Sequence, residues 1–122
     1  MDLGLAGKRA LVTGSSSGLG EAIAKFLGAE GVDLVVHGRD VARTEAVAKA
    51  IQAAGGNADI ALGDLSTDEG ADAVARAATA GGDVDILVNN AGFYRHVSWV
   101  DALPAEWNDA YNINVVSGVR MI

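Results

Sequence analysis

Short runs rich in β-branched residues alternate along the chain with longer Ala-rich segments whose apolar positions recur at helical spacing, and glycine marks most junctions. Arg9-Ala10-Leu11-Val12-Thr13 predicts a first strand. From about Gly18, the spacing of Leu19, Ile23, Phe26 and Leu27 predicts a helix that turns this face to a core, with Gly31 as its stop signal. Leu34-Val35-Val36-His37 predicts a second strand, and Asp40 a cap for a helix ending before Gly55-Gly56. Asp59-Ile60-Ala61-Leu62 predicts a third strand. Ser66-Thr67-Asp68-Glu69 then reads as a capping box, with Ser66 and Glu69 each satisfying an orphan amide of a helix that runs to Gly81-Gly82. Val84 to Val88 is apolar apart from Asp85, the pattern of a strand covered on both faces. Pro104 suits the first position of a last helix continuing toward the chain end.

The order β-α-β-α-β-α-β-α predicts an α/β fold. Right-handed crossovers would build a Rossmann-like, doubly wound parallel sheet of four strands in the order 3-2-1-4, with helices on both faces. A length of 122 residues fits one domain. Half of the residues are hydrophobic and 20% are charged, which argues against an intrinsically disordered segment. The formal net charge of −7, without a basic patch, argues against a nucleic-acid partner. No cysteine is present, so disulfides, thiolate catalysis and Cys-ligated zinc are excluded. His37 and His96 are too far apart in sequence to suggest a metal pair, and no metal site is expected. The stretch from Met1 to Gly7 lacks the basic start and apolar core of a signal peptide. No uncharged apolar run approaches the roughly 18 residues needed to cross a bilayer. A cytoplasmic protein with no membrane partner is the expectation.

Candidate chemistry gathers at the strand ends. Gly14, Gly18 and Gly20 sit in Thr13-Gly14-Ser15-Ser16-Ser17-Gly18-Leu19-Gly20, between the first strand and first helix. Missing side chains there let backbone amides approach a pyrophosphate at a positive helix terminus, and Ser15, Ser16 and Ser17 add hydroxyl donors. A tight strand-to-helix turn is the plainer alternative. The second strand ends in His37-Gly38-Arg39, where NAD-preferring folds carry an acid for the ribose 2′-hydroxyl. A guanidinium at Arg39 would instead grip a 2′-phosphate, so NADP(H) is favoured over NAD(H). Asp40 is better explained as a helix cap.

In these residues the chain resembles the short-chain dehydrogenases/reductases, most nearly those of the 3-oxoacyl-carrier-protein reductase type. Four signals in order carry the likeness: Thr13-Gly14-x-x-x-Gly18-x-Gly20, Gly63-Asp64-Leu65, Asn89-Asn90-Ala91-Gly92, and Trp107 with Asn114. The resemblance implies that Asp64 and Leu65 contact adenine, with Asp64 accepting from its exocyclic amine. It implies that Asn90, Ala91 and Gly92 line the adenine-side ribose and support the central strand. It also implies that the backbone at Asn114 holds a water in a proton relay. Phe93, Tyr94, Arg95 and His96 follow as candidates to face substrate.

Members of the family reduce a carbonyl or oxidise an alcohol with Ser, Tyr and Lys, the last two as Tyr-x-x-x-Lys. Here Tyr94 and Tyr111 are followed four places on by Ser98 and Val115, and the last lysine is Lys49. Family domains run to about twice this length. The chain is therefore expected to be the N-terminal, cofactor-binding part of an NADP(H)-dependent oxidoreductase acting on a small carbonyl or alcohol. Its sheet would then be incomplete, residues 1–122 would form one partial dinucleotide-binding domain, and the chain alone would be inactive and would form a homo-oligomer. The competing reading is a non-catalytic nucleotide-binding or self-associating fragment. A methyltransferase-like nucleotide fold shares the first turn, but the Asn-Asn-Ala-Gly loop and the Trp107/Asn114 pair speak against it.

Overall fold

A computed structural model describes residues 2–122. The elements follow as β1 (Arg9–Val12), α1 (Gly18–Ala29), β2 (Asp33–Gly38), α2 (Val41–Ala53), β3 (Asn57–Leu62), α3 (Asp68–Thr79), β4 (Ile86–Val88), α4 (Pro104–Tyr111) and α5 (Ser117–Met121). A five-residue π-helical segment, Asn112–Val116, joins the last two helices. The four strands form one sheet in the order β3-β2-β1-β4, every pair parallel. Leu11 lies level with Val35 on one side and Leu87 on the other. The fold is the Rossmann-like α/β arrangement that the alternation predicts.

Side-chain alternation along the strands divides the apolar residues between two layers. Ala10, Val12, Leu34, Val36 and Ala58 pack against Ala24 of α1 and Val47, Ala48 and Ile51 of α2. Leu11, Val35 and Ala61 point the other way, onto Ala71, Val74 and Ala78 of α3, with Met121 of α5 at the margin. Val35 and Val36 are fully buried, as expected of a strand covered on both faces. β4 is only half-buried because it lies at the sheet edge.

Two expectations are corrected, and the last helix, which starts at Pro104 and runs toward the chain end as expected, adds a detail. The face that α1 buries is Gly20, Ala24 and Gly28, a stripe of small residues at four-residue spacing. Ile23 and Leu27 flank that stripe, whereas Leu19 and Phe26 are exposed at 71% and 61%. Small residues let the helix axis approach the sheet, so the larger side chains splay to either side. At α3 the cap is Thr67, not Ser66: the Thr67 hydroxyl accepts from the Gly70 amide. Ser66 is occupied in the preceding turn, donating its amide to Asp64 Oδ1 at 2.9 Å. The last helix is not regular throughout. Asn114 Nδ2 donates to the Ala110 carbonyl inside the π-helical segment, a side-chain intrusion of the kind that accompanies widened turns. Asp40 caps α2 as expected, accepting from the Arg43 amide at 2.8 Å.

At the end of the sheet where the strands begin, Arg9 is buried but fully engaged. Its guanidinium donates to Asp33 at 2.7 Å, to Asp59 at 3.2 Å and to the Ala78 carbonyl at 3.0 Å. Asp85 accepts from the Arg9 amide. One cation thus ties β1, β2, β3 and α3 together and is compensated on every donor edge, the condition for burying a charge.

Candidate functional site

The opposite end of the sheet is open. Where β1 and β2 end, the chain borders a cleft of about 380 Å³. Gly14, Ser16, Ser17 and Leu19 form one wall, Arg39 and Asp64 stand at another, and Asn90, Ala91 and Gly92 close the side toward β4. Leu65 reaches the cleft while its side chain belongs to the α3 core. Residues far apart in sequence are thus brought together at the strand termini, the usual place for ligands in open parallel sheets.

The first turn is built around two glycines. Gly14 has φ +64°, and a Cβ there would meet Ala91 Cα at 2.9 Å. Gly20 sits beneath it, where a Cβ would collide with the Gly14 carbonyl oxygen and come within 2.5 Å of Asn90 Nδ2. Gly18, at φ +57°, starts α1 in a left-handed conformation with open space around it. Thr13 and Asn90 then stitch the turn to the loop after β4. Thr13 Oγ1 accepts from the Asn90 and Ala91 amides at 3.0 Å, and Asn90 Nδ2 donates to the Thr13 and Gly14 carbonyls.

α1 begins without a side-chain cap, since Ser17 makes no capping hydrogen bond. α2 and α3 both have one, from Asp40 and Thr67. Of the three helices that directly follow a sheet strand at this end, α1 is thus the one whose first-turn amides have no side-chain cap; α4 and α5 also start without one. Amides so placed, at the positive end of a helix, suit an anionic ligand. Ser16 and Ser17 line the cleft. Ser15 departs from the expected role as a hydroxyl donor to the cleft. Its side chain is fully buried, donates to the Val12 carbonyl at 2.7 Å and accepts from the His37 amide.

Arg39 is exposed at the rim, and no salt bridge within 4.0 Å holds it among the described residues. Hydrogen bonds from Ser66, first from its hydroxyl and then from its amide, hold the Asp64 carboxyl below the usual aspartate range, and Arg39 and Arg120 add to the effect. Asp64 is therefore an anion at neutral pH. Its side chain is ordered by Ser66, and its remaining acceptor capacity faces solvent.

Asn114 stands outside the cleft. Its side chain clasps Phe93 by accepting from the amide at 2.8 Å and donating to the carbonyl at 2.9 Å. A second, more apolar recess of about 330 Å³ lies on the far side of this clasp, lined by Phe93, Tyr94, Val97, Ala110 and Ile113 among others. Arg95 reaches over to Glu106 at 2.8 Å, and Glu106 also accepts from the Leu103 amide at the start of α4. His96 rests edge-on against Tyr94. Trp107, the other member of that sequence pair, is exposed at 63%.

Sequence reasoning missed His37, which is buried at the back of the cleft. Its Nδ1 accepts from the Gly14 amide and its Nε2 lies 2.8 Å from the Gly63 carbonyl. The signal was a histidine directly following the apolar run Leu34-Val35-Val36 in a buried strand. Among the described residues no cluster of three or more His, Asp or Glu is arranged to hold a metal ion, and no helix is long and apolar enough to cross a membrane.

A family model for short chain dehydrogenases matches residues 8–122. The chain belongs to the short-chain dehydrogenase family. It is 40% identical over 120 residues to the uncharacterized oxidoreductase YvrD of Bacillus subtilis, covering 98% of this chain and 45% of that protein. It is 37% identical over 120 residues to a 3-oxoacyl-[acyl-carrier-protein] reductase of Vibrio cholerae, covering 98% of this chain and 48% of that one. Among solved structures, L-sorbose reductase from Gluconobacter frateurii, complexed with NADPH and L-sorbose, superposes with a TM-score of 0.94 at 36% identity. That match covers 99% of this chain and 47% of the reductase. The chain thus spans about half the length of the curated relatives it matches.

Because the Gly20 position has backbone on one side and Asn90 on the other, Gly20→Ala is expected to lower stability by about 1–3 kcal/mol, the range for overpacking a filled interior. Urea unfolding measures this, and an unchanged midpoint would contradict the contact.

Proposed function

We propose that this chain is the cofactor-binding portion of an NADP(H)-dependent oxidoreductase that moves hydride between nicotinamide and a small carbonyl or alcohol. The observation that carries this reading is the pairing of the uncapped start of α1 with Arg39 across a single cleft. A dinucleotide fits those residues. Gly14 and Gly20 leave room for backbone to approach a pyrophosphate, and Arg39 offers a charged fork to a 2′-phosphate where a carboxylate would repel it. Asp64 and Leu65 are assigned to adenine, and Asn90, Ala91 and Gly92 to the adjoining ribose. The NADPH complex of L-sorbose reductase supports the choice of cofactor.

When bound, the nicotinamide supplies or accepts the hydride. The residues of this chain bind and orient the dinucleotide, and the Asn114 backbone is assigned to a water in the proton relay. The Ser and Tyr-x-x-x-Lys that handle the substrate proton in the family have no counterpart in residues 1–122. The cytoplasm is the compartment we assign.

A second reading, a fragment that associates with itself, is favoured by one observation. Phe93, Tyr94, Trp99, Trp107, Tyr111, Val119 and Ile122 are all more than half exposed, apolar area that association would cover. We assign a homo-oligomer on that ground. Sedimentation equilibrium is expected to find assemblies larger than 12.4 kDa, and a monodisperse monomer would count against this assignment.

Calorimetric titration tests the cofactor. NADP and 2′-phospho-AMP are expected to bind more tightly than NAD and AMP. Arg39→Ala should erase that preference, a loss of roughly 10- to 100-fold for a charge-assisted pair of hydrogen bonds. Equal binding of phosphorylated and unphosphorylated ligands would remove the role given to Arg39. In a ketone panel with NADPH, the 122-residue chain is expected to show no turnover, whereas a form extended past Ile122 should be active. Turnover by the shorter form would refute the division of labour.

A further inference from the structure

The His37 ring joins two loops that border the cleft. Gly14 lies in the turn after β1 and Gly63 in the turn after β3, and the ring spans them with hydrogen bonds of 2.8 Å at each nitrogen. The tautomer follows from the partners. A backbone amide can only donate, so Nδ1 carries the lone pair toward Gly14, and Nε2 carries the proton that is donated to the Gly63 carbonyl. Around the ring the backbone repeats the link: the Ser15 amide donates to the His37 carbonyl and the His37 amide donates to Ser15 Oγ. Residue 37 is therefore bound to the first turn through ring and backbone together.

A protonated ring does not fit this arrangement. An imidazolium carries N–H at both nitrogens, so its Nδ1–H would face the Gly14 N–H across 2.8 Å. Either the ring turns away or the Gly14 amide does. The ring keeps its Nε2–H bond to the Gly63 carbonyl in either state, so the Gly14 amide is the group that gives way, at the expense of its packing on Ala91 and the hold of Asn90 on its carbonyl.

We propose that His37 is a positioning residue for the dinucleotide cleft: its neutral imidazole sets the Gly14 turn, and protonation of the ring displaces that turn and weakens nucleotide binding. The inference rests on the nucleotide-binding reading above. Burial is the largest influence on the ring and lowers its basicity. The hydrogen bond to Gly63 opposes this, Arg39 reinforces it, and Asp64 opposes it, with the pKa left below its ordinary 6.5. The charged groups facing the ring are thus Arg39 from the end of β2 and Asp64 from the loop after β3. The Gly14–Ser17 turn carries no ionisable side chain, and Asp40 at the start of α2 is engaged as its cap. With the native pKa below the unfolded one, the contribution of the ring to stability is complete above about 6.5 and is lost as pH falls through the native value.

Two physical effects predict opposite signs, which makes the proposal sharp. Coulomb attraction alone would let an anionic pyrophosphate favour the imidazolium, so that acid would tighten binding. Loss of the Gly14 geometry would weaken it.

The test uses the 122-residue chain with NADP⁺ and NAD⁺, titrated by calorimetry at about pH 8 and at an acid pH where the His37 ¹³Cε1 resonance reports at least half protonation. NAD⁺ is included because the 2′-phosphate of NADP⁺ itself titrates near pH 6. On acidification, wild-type affinity for NAD⁺ is expected to fall about tenfold, the effect of exchanging one buried hydrogen bond for two opposed donors. His37→Asn keeps an acceptor at the Nδ1 position but nothing that titrates, so its NAD⁺ affinity should be independent of pH. At pH 8, His37→Asn should also bind more tightly than His37→Leu, a rescue that a space-filling role would not produce. In the free wild-type chain, the Gly14 amide resonance is expected to move with the His37 titration.

NAD⁺ affinity that stays level or rises in acid overturns the proposal, as does an acid loss shared by His37→Asn, or a Gly14 resonance indifferent to the protonation of His37. Binding at pH 8 with superimposable wild-type and His37→Asn profiles defeats this inference alone. Failure of every nucleotide to bind at pH 8 overturns the cofactor reading and this inference with it.

Discussion

The site depends on a backbone crossing that tolerates no side chain. α1 must start directly beneath the Gly14 carbonyl for its first-turn amides to face the cleft, and Gly20 is the residue at the crossing. With Gly20 in place, Asn90 can reach the same carbonyl from the β4 side, and Thr13 can accept from the amides of that loop. Two segments at least 76 positions apart in sequence are thereby fixed relative to one another. The constraint is steric first, and hydrogen bonding then exploits it.

The two ends of the sheet solve opposite problems. Where the strands begin, Arg9 is buried and each edge of its guanidinium meets a carboxylate or carbonyl of the chain itself. Where they end, α1 lacks a side-chain cap and Arg39 is exposed. No buried side-chain nitrogen or oxygen among the described residues lacks a partner, so unmet side-chain hydrogen-bonding capacity is confined to atoms that reach solvent. A fold that satisfies its polar groups at one end and leaves them available at the other has a direction, and that direction marks the end suited to a ligand.

Element order and sheet topology were legible because they follow from periodicity and glycine punctuation, which act over a few residues. Details that depend on tertiary fit were less so. Leu19 and Phe26 share helical spacing with Ile23 and Leu27, yet the sheet selects the small face of α1, since only Gly20, Ala24 and Gly28 allow the close approach. Ser66 and Thr67 are equally good caps in isolation, and the Asp64 carboxylate decides between them by taking the Ser66 amide. Asn114, within the π-helical segment, also clasps Phe93, 21 positions earlier, a contact that no local window contains. Of the residues singled out in the sequence, Gly14, Ser16, Ser17, Leu19, Arg39, Asp64, Leu65 and the Asn90–Gly92 loop border one cleft, whereas Gly18 and Gly20 do not line it and the Ser15 hydroxyl turns away from it. His37 went unread because its chemistry exists only once β1 and β3 lie on either side of it.

Charge gives the cleft a further constraint. The chain carries a net −7, so its overall field opposes any anion approaching from solution. At physiological salt the screening length is about 8 Å, which mutes distant acids but leaves groups in contact with a ligand at nearly full strength. Affinity for an anion at this end must therefore come from short-range partners: the open amides at the start of α1, the hydroxyls of Ser16 and Ser17, and Arg39. Amide donors carry no charge that salt can screen at contact distance, and their direction is set by the Gly14–Gly20 crossing. A chain with this charge balance relies on the geometry of its first turn more than a basic protein would.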